Sequence, residues 1–206
     1  MSFAGSSFNL FNDSALTSPF NGDFSVVSKT DLSDNPQNFT LYLGSTISSR
    51  LLQAASSPGS ANITFTPTDI LPAWVANTAY VVGNKVQPIG GNGFVYQCTT
   101  LGTSNSSQPS WPTTPIGATV SDNTAVWTLV SAHHNKNEIR MALTSGGVPG
   151  ATAGAALSVG PTITGGVANA VAIYMSLTNA VTTVVNNTGN EEIGIVISTC
   201  IETGSP

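Results

Sequence analysis

Charged residues are scarce in this sequence. Five Lys or Arg and ten Asp or Glu make up 7% of its 206 residues, against roughly 25% in an average soluble protein. The five basic residues form no cluster, so we expect no nucleic-acid partner, since such binding depends on phosphate neutralisation. The 40% hydrophobic share is too high for a disordered chain. The polar surface must therefore be built mainly from Thr, Ser, Asn and Gly, which suits a β-rich protein that assembles with other subunits.

Cysteine and continuous apolar segments are also rare. Cys98 and Cys200 are the two cysteines, which is neither a disulfide framework nor a metal-binding pattern, and their redox state stays open. The N-terminus lacks the basic start and apolar segment of a secretory signal peptide. From Met141 to Asn190 no residue is charged, but Gly and Pro interrupt the segment repeatedly. A membrane-spanning helix needs about 20 mostly apolar residues in a row, so we expect no membrane insertion.

Catalytic motifs are missing as well. The sequence has no paired-carboxylate motif, no G-x-S-x-G and no glycine-rich phosphate loop. His133 and His134 are adjacent, and on a strand such neighbours point to opposite faces. Since no further metal ligand lies at a suitable spacing, we expect a hinge or surface position for them. We predict no enzymatic activity, no metal and no cofactor.

Short alternating segments bounded by turn residues dominate the chain outside its middle. Their spacing of roughly 8 to 12 residues favours a sandwich or barrel. Ile47–Ala55 and Ala151–Val159 fit strand or helix, and for the first we favour strand. We predict an all-β fold, a β-sandwich of the jelly-roll or immunoglobulin-like type, built from residues 37–71 and 132–206. The clearest predicted strands are Asn38–Leu43, Ala61–Thr66, Glu138–Leu143, Val171–Leu177 and Ile193–Ile201.

Residues 72–131, here called the insert, differ from the sequence on either side. They contain all three tryptophans, Trp74, Trp111 and Trp127. They also have their own strand segments and a Gly90–Gly93 turn that suits a hairpin. We predict a small β module inserted into a loop of the sandwich, because loop tips tolerate insertions.

The aromatic residues of the insert are the best candidates for a binding site. A module of this size needs aromatic residues for its own core, and we assign Tyr80, Tyr96 and Trp127 mainly to it. Trp74 and Trp111 lie outside the clearest strands and are expected to be more exposed. Flat aromatic rings stack on the apolar faces of sugars. Trp74, Trp111 and Tyr80 are therefore our candidate glycan-binding residues, with core or subunit contact as the competing role.

Residues 1–36 are predicted to form an N-terminal arm with little regular structure. The arm carries too many aromatic side chains for a solvated tail, so we expect it to be tied down. It could dock on the chain's own core or on a neighbouring subunit, and the sequence favours neither. The phenylalanines concerned are Phe3, Phe8, Phe11, Phe20 and Phe24, of which Phe8, Phe11 and Phe20 are our candidate assembly residues.

The insert resembles the chitin-binding-like modules of carbohydrate-binding families five and twelve. The resemblance is carried by Trp74, by the segment Thr78–Val86 (TAYVVGNKV), by Tyr96-Gln97-Cys98 and by Trp127-Thr128-Leu129. Asn84 stands where the family usually has Asp. The long Ser/Pro loop around Trp111 is typical of versions of this module found in bacteriophage virion proteins.

The remainder is similar in style to virion β-sandwiches of tailed bacteriophages. The similar segments are Phe39–Ser45, Ser56–Asp69, Asn137–Ser145, Ala151–Val171 and Glu191–Ile197. Together the two resemblances imply a structural virion protein, such as a capsid decoration, neck or collar, or tail-associated component, assembled in the host cytoplasm. Its partners would be other virion proteins and further copies of itself, and its insert would contact a host-surface glycan. The alternative is a dedicated carbohydrate-binding or host-adhesion protein.

Overall fold

The computed structural model describes residues 5–24, 26, 29, 31–179 and 192–204. Strands dominate these residues, and the prediction of an all-β fold is confirmed. The only helical segments among them are three short 3-10 helices, at Lys136–Glu138, Ser145–Gly150 and Val167–Asn169. The strands are β1 (Asn9–Phe11), β2 (Gln37–Gly44), β3 (Arg50–Ala54), β4 (Thr64–Asp69), β5 (Ala79–Tyr80), β6 (Lys85–Val86), β7 (Phe94–Thr100), β8 (Gly102–Thr103), β9 (Thr119–Asp122), β10 (Ala125–Ala132), β11 (Ile139–Ala142), β12 (Leu157–Ser158), β13 (Thr162–Thr164), β14 (Val171–Leu177), β15 (Ile193–Ile197) and β16 (Cys200–Gly204).

Three antiparallel sheets enclose the larger core. Their strand orders are β1-β2-β14-β11, β12-β4-β15 and β13-β3-β16. Strands β2 and β14 pair over seven residues, from Leu43 opposite Val171 to Gln37 opposite Leu177. Side chains alternate across a strand, so one face of each of these sheets supplies the core. The buried residues of this core include Leu41, Leu43, Leu52, Phe65, Ile163, Ile173 and Met175.

The insert has sheets and a hydrophobic cluster of its own. Its four-stranded sheet has the order β6-β7-β10-β9, and β5 pairs with β8 beside it. The cluster formed by these strands shares no residue with the larger core. Strand β10 runs on to Ala132, opposite Phe94, one residue beyond the predicted boundary. The segments that flank the insert meet where the backbone N–H of Lys136 donates to Oδ1 of Asp69 at 2.7 Å.

Two strand predictions were wrong at their ends. The strand expected to stop at Thr66 continues through Pro67 to Asp69, where β4 pairs only with β15. Proline is tolerated there because β12 no longer pairs with this part of β4. On that side no strand needs the N–H group that proline lacks. The predicted single strand Ile193–Ile201 is two strands, β15 and β16, that belong to different sheets.

The Ala151–Val159 segment is mostly turn, with only the short β12 at its end. Its small side chains give little burial to stabilise either regular structure. The last part of the uncharged segment, residues 180–190, lies outside the described residues, as does Phe3.

The N-terminal arm docks on its own chain. Strand β1 pairs with the edge of β2, with Leu10 opposite Leu43, and Phe8, Phe11 and Phe20 are all buried. The hydroxyl groups of Ser7 and Ser45 lie 2.8 Å apart. Glu202 of β16 accepts hydrogen bonds from the Ser6 hydroxyl at 2.8 Å and the Ser7 hydroxyl at 2.9 Å. Of the two predicted docking modes, the structure shows the arm on its own chain, with Phe8 and Phe20 in the larger core and Phe11 buried beside it.

Candidate functional site: the aromatic face of the insert

The central hairpin of the insert, β7 and β10, positions the aromatic core. Tyr96 lies opposite Leu129 and Trp127 opposite Cys98, and all four side chains are fully buried. The prediction that Tyr96 and Trp127 serve the core is therefore confirmed. The Tyr96 hydroxyl donates to the carbonyl of Pro112 at 2.7 Å and accepts from the Asn92 side-chain amide at 2.8 Å. A buried phenol thus anchors both the Ser/Pro loop and the hairpin turn to the sheet.

Asp122 is a buried carboxylate that connects two tryptophans. Its Oδ2 accepts the indole N–H of Trp74 at 2.7 Å and that of Trp127 at 2.9 Å, while its Oδ1 accepts the backbone N–H of Asn105 at 2.8 Å. Asp122 is 1% exposed. A buried polar group is costly without hydrogen-bond partners, and these three bonds offset that cost.

The expectation that Trp74 is exposed was wrong. Trp74 is 2% exposed, and besides its bond to Asp122 its backbone N–H donates to the carbonyl of Gln87 at 2.8 Å. A ring enclosed in this way offers no face for stacking in the folded protein. Little in the sequence indicates that Trp74 is buried, because its partner Asp122 precedes an Asn123-Thr124 turn. An acidic residue at such a turn is ordinarily expected to be exposed.

Tyr80, Trp111 and Phe94 are the partly exposed aromatic residues packed against this cluster, and we call the first two the aromatic face. They lie against Trp127, with ring centroids 4.7 Å from Trp127 for Tyr80 and 5.9 Å for Trp111. Trp111 also packs on Tyr96 at 4.4 Å. Two of the three candidate glycan-binding residues are thus brought together over one buried indole, and the third is not.

The polar groups of the two rings of the aromatic face already form hydrogen bonds within the insert. The Trp111 indole N–H donates to Oε1 of Gln108 at 3.2 Å, and the same oxygen accepts the backbone N–H of Ile89 at 3.0 Å. The Tyr80 hydroxyl accepts the backbone N–H of Val75 at 2.8 Å. Burial raises the pKa of the Tyr80 phenol, which keeps it protonated at neutral pH. The face is therefore uncharged and suited to stacking rather than to proton transfer.

Four exposed aliphatic side chains belong to residues that are near Tyr80 in the chain or in its strand pairing, and sequence analysis did not single them out. We call this group the aliphatic patch; its members Val75, Val81, Val82 and Leu101 are 55–68% exposed. Val75 is hydrogen-bonded to Tyr80, Val81 follows Tyr80, and Leu101 precedes Gly102, the register partner of Tyr80. Contiguous exposed apolar residues mark interaction surfaces more often than isolated ones do.

His133 is not at the surface, whereas His134 is partly exposed, and the expectation of a hinge stays a prediction. His133 is 2% exposed, and Nδ1 of His134 lies 2.6 Å from Oε2 of Glu138. Burial follows from the backbone, because the N–H of His133 donates to the carbonyl of Gly93 and draws the segment against the hairpin turn. Among the described residues, no three His, Cys, Asp or Glu side chains are placed to hold a metal ion. Within the same residues Cys98 and Cys200 are both free thiols.

Comparisons with known proteins found no relative of this chain. No protein family, curated protein or solved structure matches this chain. A separate search for helices that are long and apolar enough to cross a membrane found none in the described part of the chain.

Proposed function

We propose that this chain is a non-enzymatic structural component of a bacteriophage virion, such as a capsid decoration, a neck or collar protein, or a tail-associated protein. In this role the sandwich assembles on the particle and the insert projects outward. The proposal begins from the resemblances in sequence, and the structure adds support from its surfaces.

The aliphatic patch is the observation that carries the proposal. Leu101 is 68% exposed and Val81 62% exposed, on an insert whose only basic residue is Lys85. A soluble protein that works alone usually keeps such a surface small and surrounds it with charge. A surface that combines exposed aliphatic residues with few charges is suited to burial against another protein.

Electron microscopy tests this role. Antibodies raised against the purified chain would be applied, with gold labels, to tailed phage particles whose genome encodes it. We expect labels at one defined position on intact particles, and the same label on particles lacking the gene serves as the control. Absence of label from intact particles, with the protein recovered only free in the lysate, would overturn the proposal.

The second candidate function is glycan binding at the host surface, and the aromatic face favours it. Tyr80 and Trp111 are partly exposed rings that both pack on Trp127, and sugar stacking needs exposed aromatic rings. A glycan array followed by titration calorimetry, with chitin oligosaccharides as the first ligands, tests it. Binding that is lost in Trp111→Ala and retained in Leu101→Ala would support this function, whereas equal binding by both variants would contradict a role for the aromatic face.

A further inference from the structure

Four titratable side chains meet where the insert joins the sandwich. They are His133 and His134 from the segment after β10, Glu138 from the following 3-10 helix, and Glu192 from the residue before β15, and we call them the junction cluster. Oε2 of Glu192 accepts the backbone N–H of His134 at 2.6 Å and lies 3.6 Å from Nδ1 of His133. The cluster therefore connects the segment that follows the insert to the residue before β15.

The junction cluster is buried and incompletely hydrogen-bonded. Neither ring nitrogen of His133 has a hydrogen-bond partner among the described residues, and the same holds for Oε1 of Glu138. A buried polar atom without a partner destabilises the fold. The nearest acidic group to His133 is the Glu192 carboxylate, so this buried region combines unpartnered polar atoms with titratable neighbours.

Other polar groups at the junction act through the same segment. Asp69 of β4 accepts the backbone N–H of Lys136, and the backbone carbonyl of Glu192 accepts the N–H of Ile70. The carbonyl of Glu138 accepts the N–H of Thr178, just after β14. The segment 133–138 is thus hydrogen-bonded to Asp69 of β4, to Thr178 just after β14 and to Glu192 just before β15.

We propose that the junction cluster is a proton-dependent attachment that holds the insert against the sandwich most firmly in mildly acidic solution. This regulation is independent of whether the protein belongs to a virion or binds a glycan. It would set how rigidly the insert is held at a given pH, through the segment that contains His133 and His134.

The direction of this pH dependence follows from His134 and Glu192. Its hydrogen bond to Glu138 raises the pKa of His134, despite the opposing effect of burial. A raised histidine pKa gives stability that is present below the ordinary value of 6.5 and is lost as the pH rises through the folded value. Burial acts to raise the pKa of Glu192, but His133 and the His134 N–H together hold it below its usual value of 4.5. Its contribution is present above 4.5 and is lost as the pH falls. Both contributions coexist between these two values.

Hydrogen exchange of the full chain tests the proposal, with protection factors corrected for the intrinsic effect of pH on exchange. We expect the peptide covering residues 133–138 to lose several-fold protection between pH 5.5 and pH 8.5, while the peptide covering β7 keeps its protection. His134→Gln should abolish this pH step, and Lys85→Gln, which removes an exposed charge far from the cluster, should leave it as in the unmodified protein.

A second variant keeps the test decisive if His134→Gln does not fold. Glu192→Gln removes the charged acceptor of the His134 N–H but keeps an amide oxygen of the same size. At pH 5.5 this variant should show several-fold lower protection of the 133–138 peptide than the unmodified chain. A pH-independent peptide in the unmodified protein, a step that survives His134→Gln, or unchanged protection in Glu192→Gln would each overturn the proposal.

Discussion

Trp74 and Trp127 donate their indole N–H groups to one carboxylate oxygen, Oδ2 of Asp122. The two tryptophans are far apart in sequence and belong to opposite ends of the insert. Asp122 therefore closes the insert on itself.

Replacing Asp122 with Asn should destabilise the insert by about 2 to 4 kcal/mol. An amide offers one acceptor oxygen instead of two and directs an N–H group at donors, which leaves buried groups unsatisfied. Urea unfolding followed by tryptophan fluorescence measures this directly, because all three tryptophans lie in the insert. Asp23→Asn, at an exposed carboxylate, is the matched control and should leave the midpoint unchanged.

Trp74→Ala should cost more stability than Trp111→Ala. A fully buried Trp leaves a cavity and orphans Asp122, at about 3 to 5 kcal/mol, whereas the partly exposed Trp111 should cost about 1 to 2 kcal/mol for its smaller buried area. Circular dichroism during urea unfolding provides the readout, since these variants alter tryptophan fluorescence. An equal cost for the two would contradict the separate roles assigned to them.

Gly102→Ala should destabilise the insert by about 1 to 3 kcal/mol or more, a cost typical of overpacking. A Cβ atom at Gly102 would lie 2.3 Å from the backbone carbonyl carbon of Thr124, and backbone cannot move aside as a flexible side chain does. The thermal midpoint of the variant would be compared with that of Gly146→Ala, where a Cβ meets nothing within 4 Å. Equal midpoints for the two variants would show that β8 and the 123–124 turn are not held so closely.

The double variant Ser7→Cys/Ser45→Cys, in a Cys200→Ser background, should form a disulfide within one chain. The two hydroxyl oxygens are 2.8 Å apart, so modest side-chain movement brings two sulfur atoms to the bonding distance of about 2.05 Å. Non-reducing electrophoresis and intact mass report the product. A covalent dimer as the main product would show instead that the arm docks on a neighbouring copy, the other mode that the sequence allowed.

The sequence predicted those parts of the fold that depend on local alternation. Val171–Leu177 was predicted residue for residue, because its apolar side chains alternate and turn residues bound it. The division of Ile193–Ile201 between two sheets was missed, since alternation continues across the break and only the pairing partners differ. Sheet membership depends on distant residues, and a local pattern does not contain it.

The candidate site was predicted less well than the fold. The composition of the aromatic cluster was foreseen, but the order of exposure within it was not, because the burial of Trp74 depends on Asp122, 48 residues later in the chain. The junction cluster could not be predicted from the sequence for the same reason. Glu192 and His134 are 58 residues apart, and no spacing motif connects them.

The contact between Asp69 and Lys136 also bears on whether the insert can be replaced by another domain. Since Asp69 and Lys136, which flank the insert, are hydrogen-bonded to each other, the chain leaves and re-enters the larger domain at neighbouring positions, as tolerated insertions do. The sandwich is thus a carrier with a single attachment position. A different folded domain whose own termini lie close together could be genetically exchanged for the insert, with the strand order of the carrier unchanged.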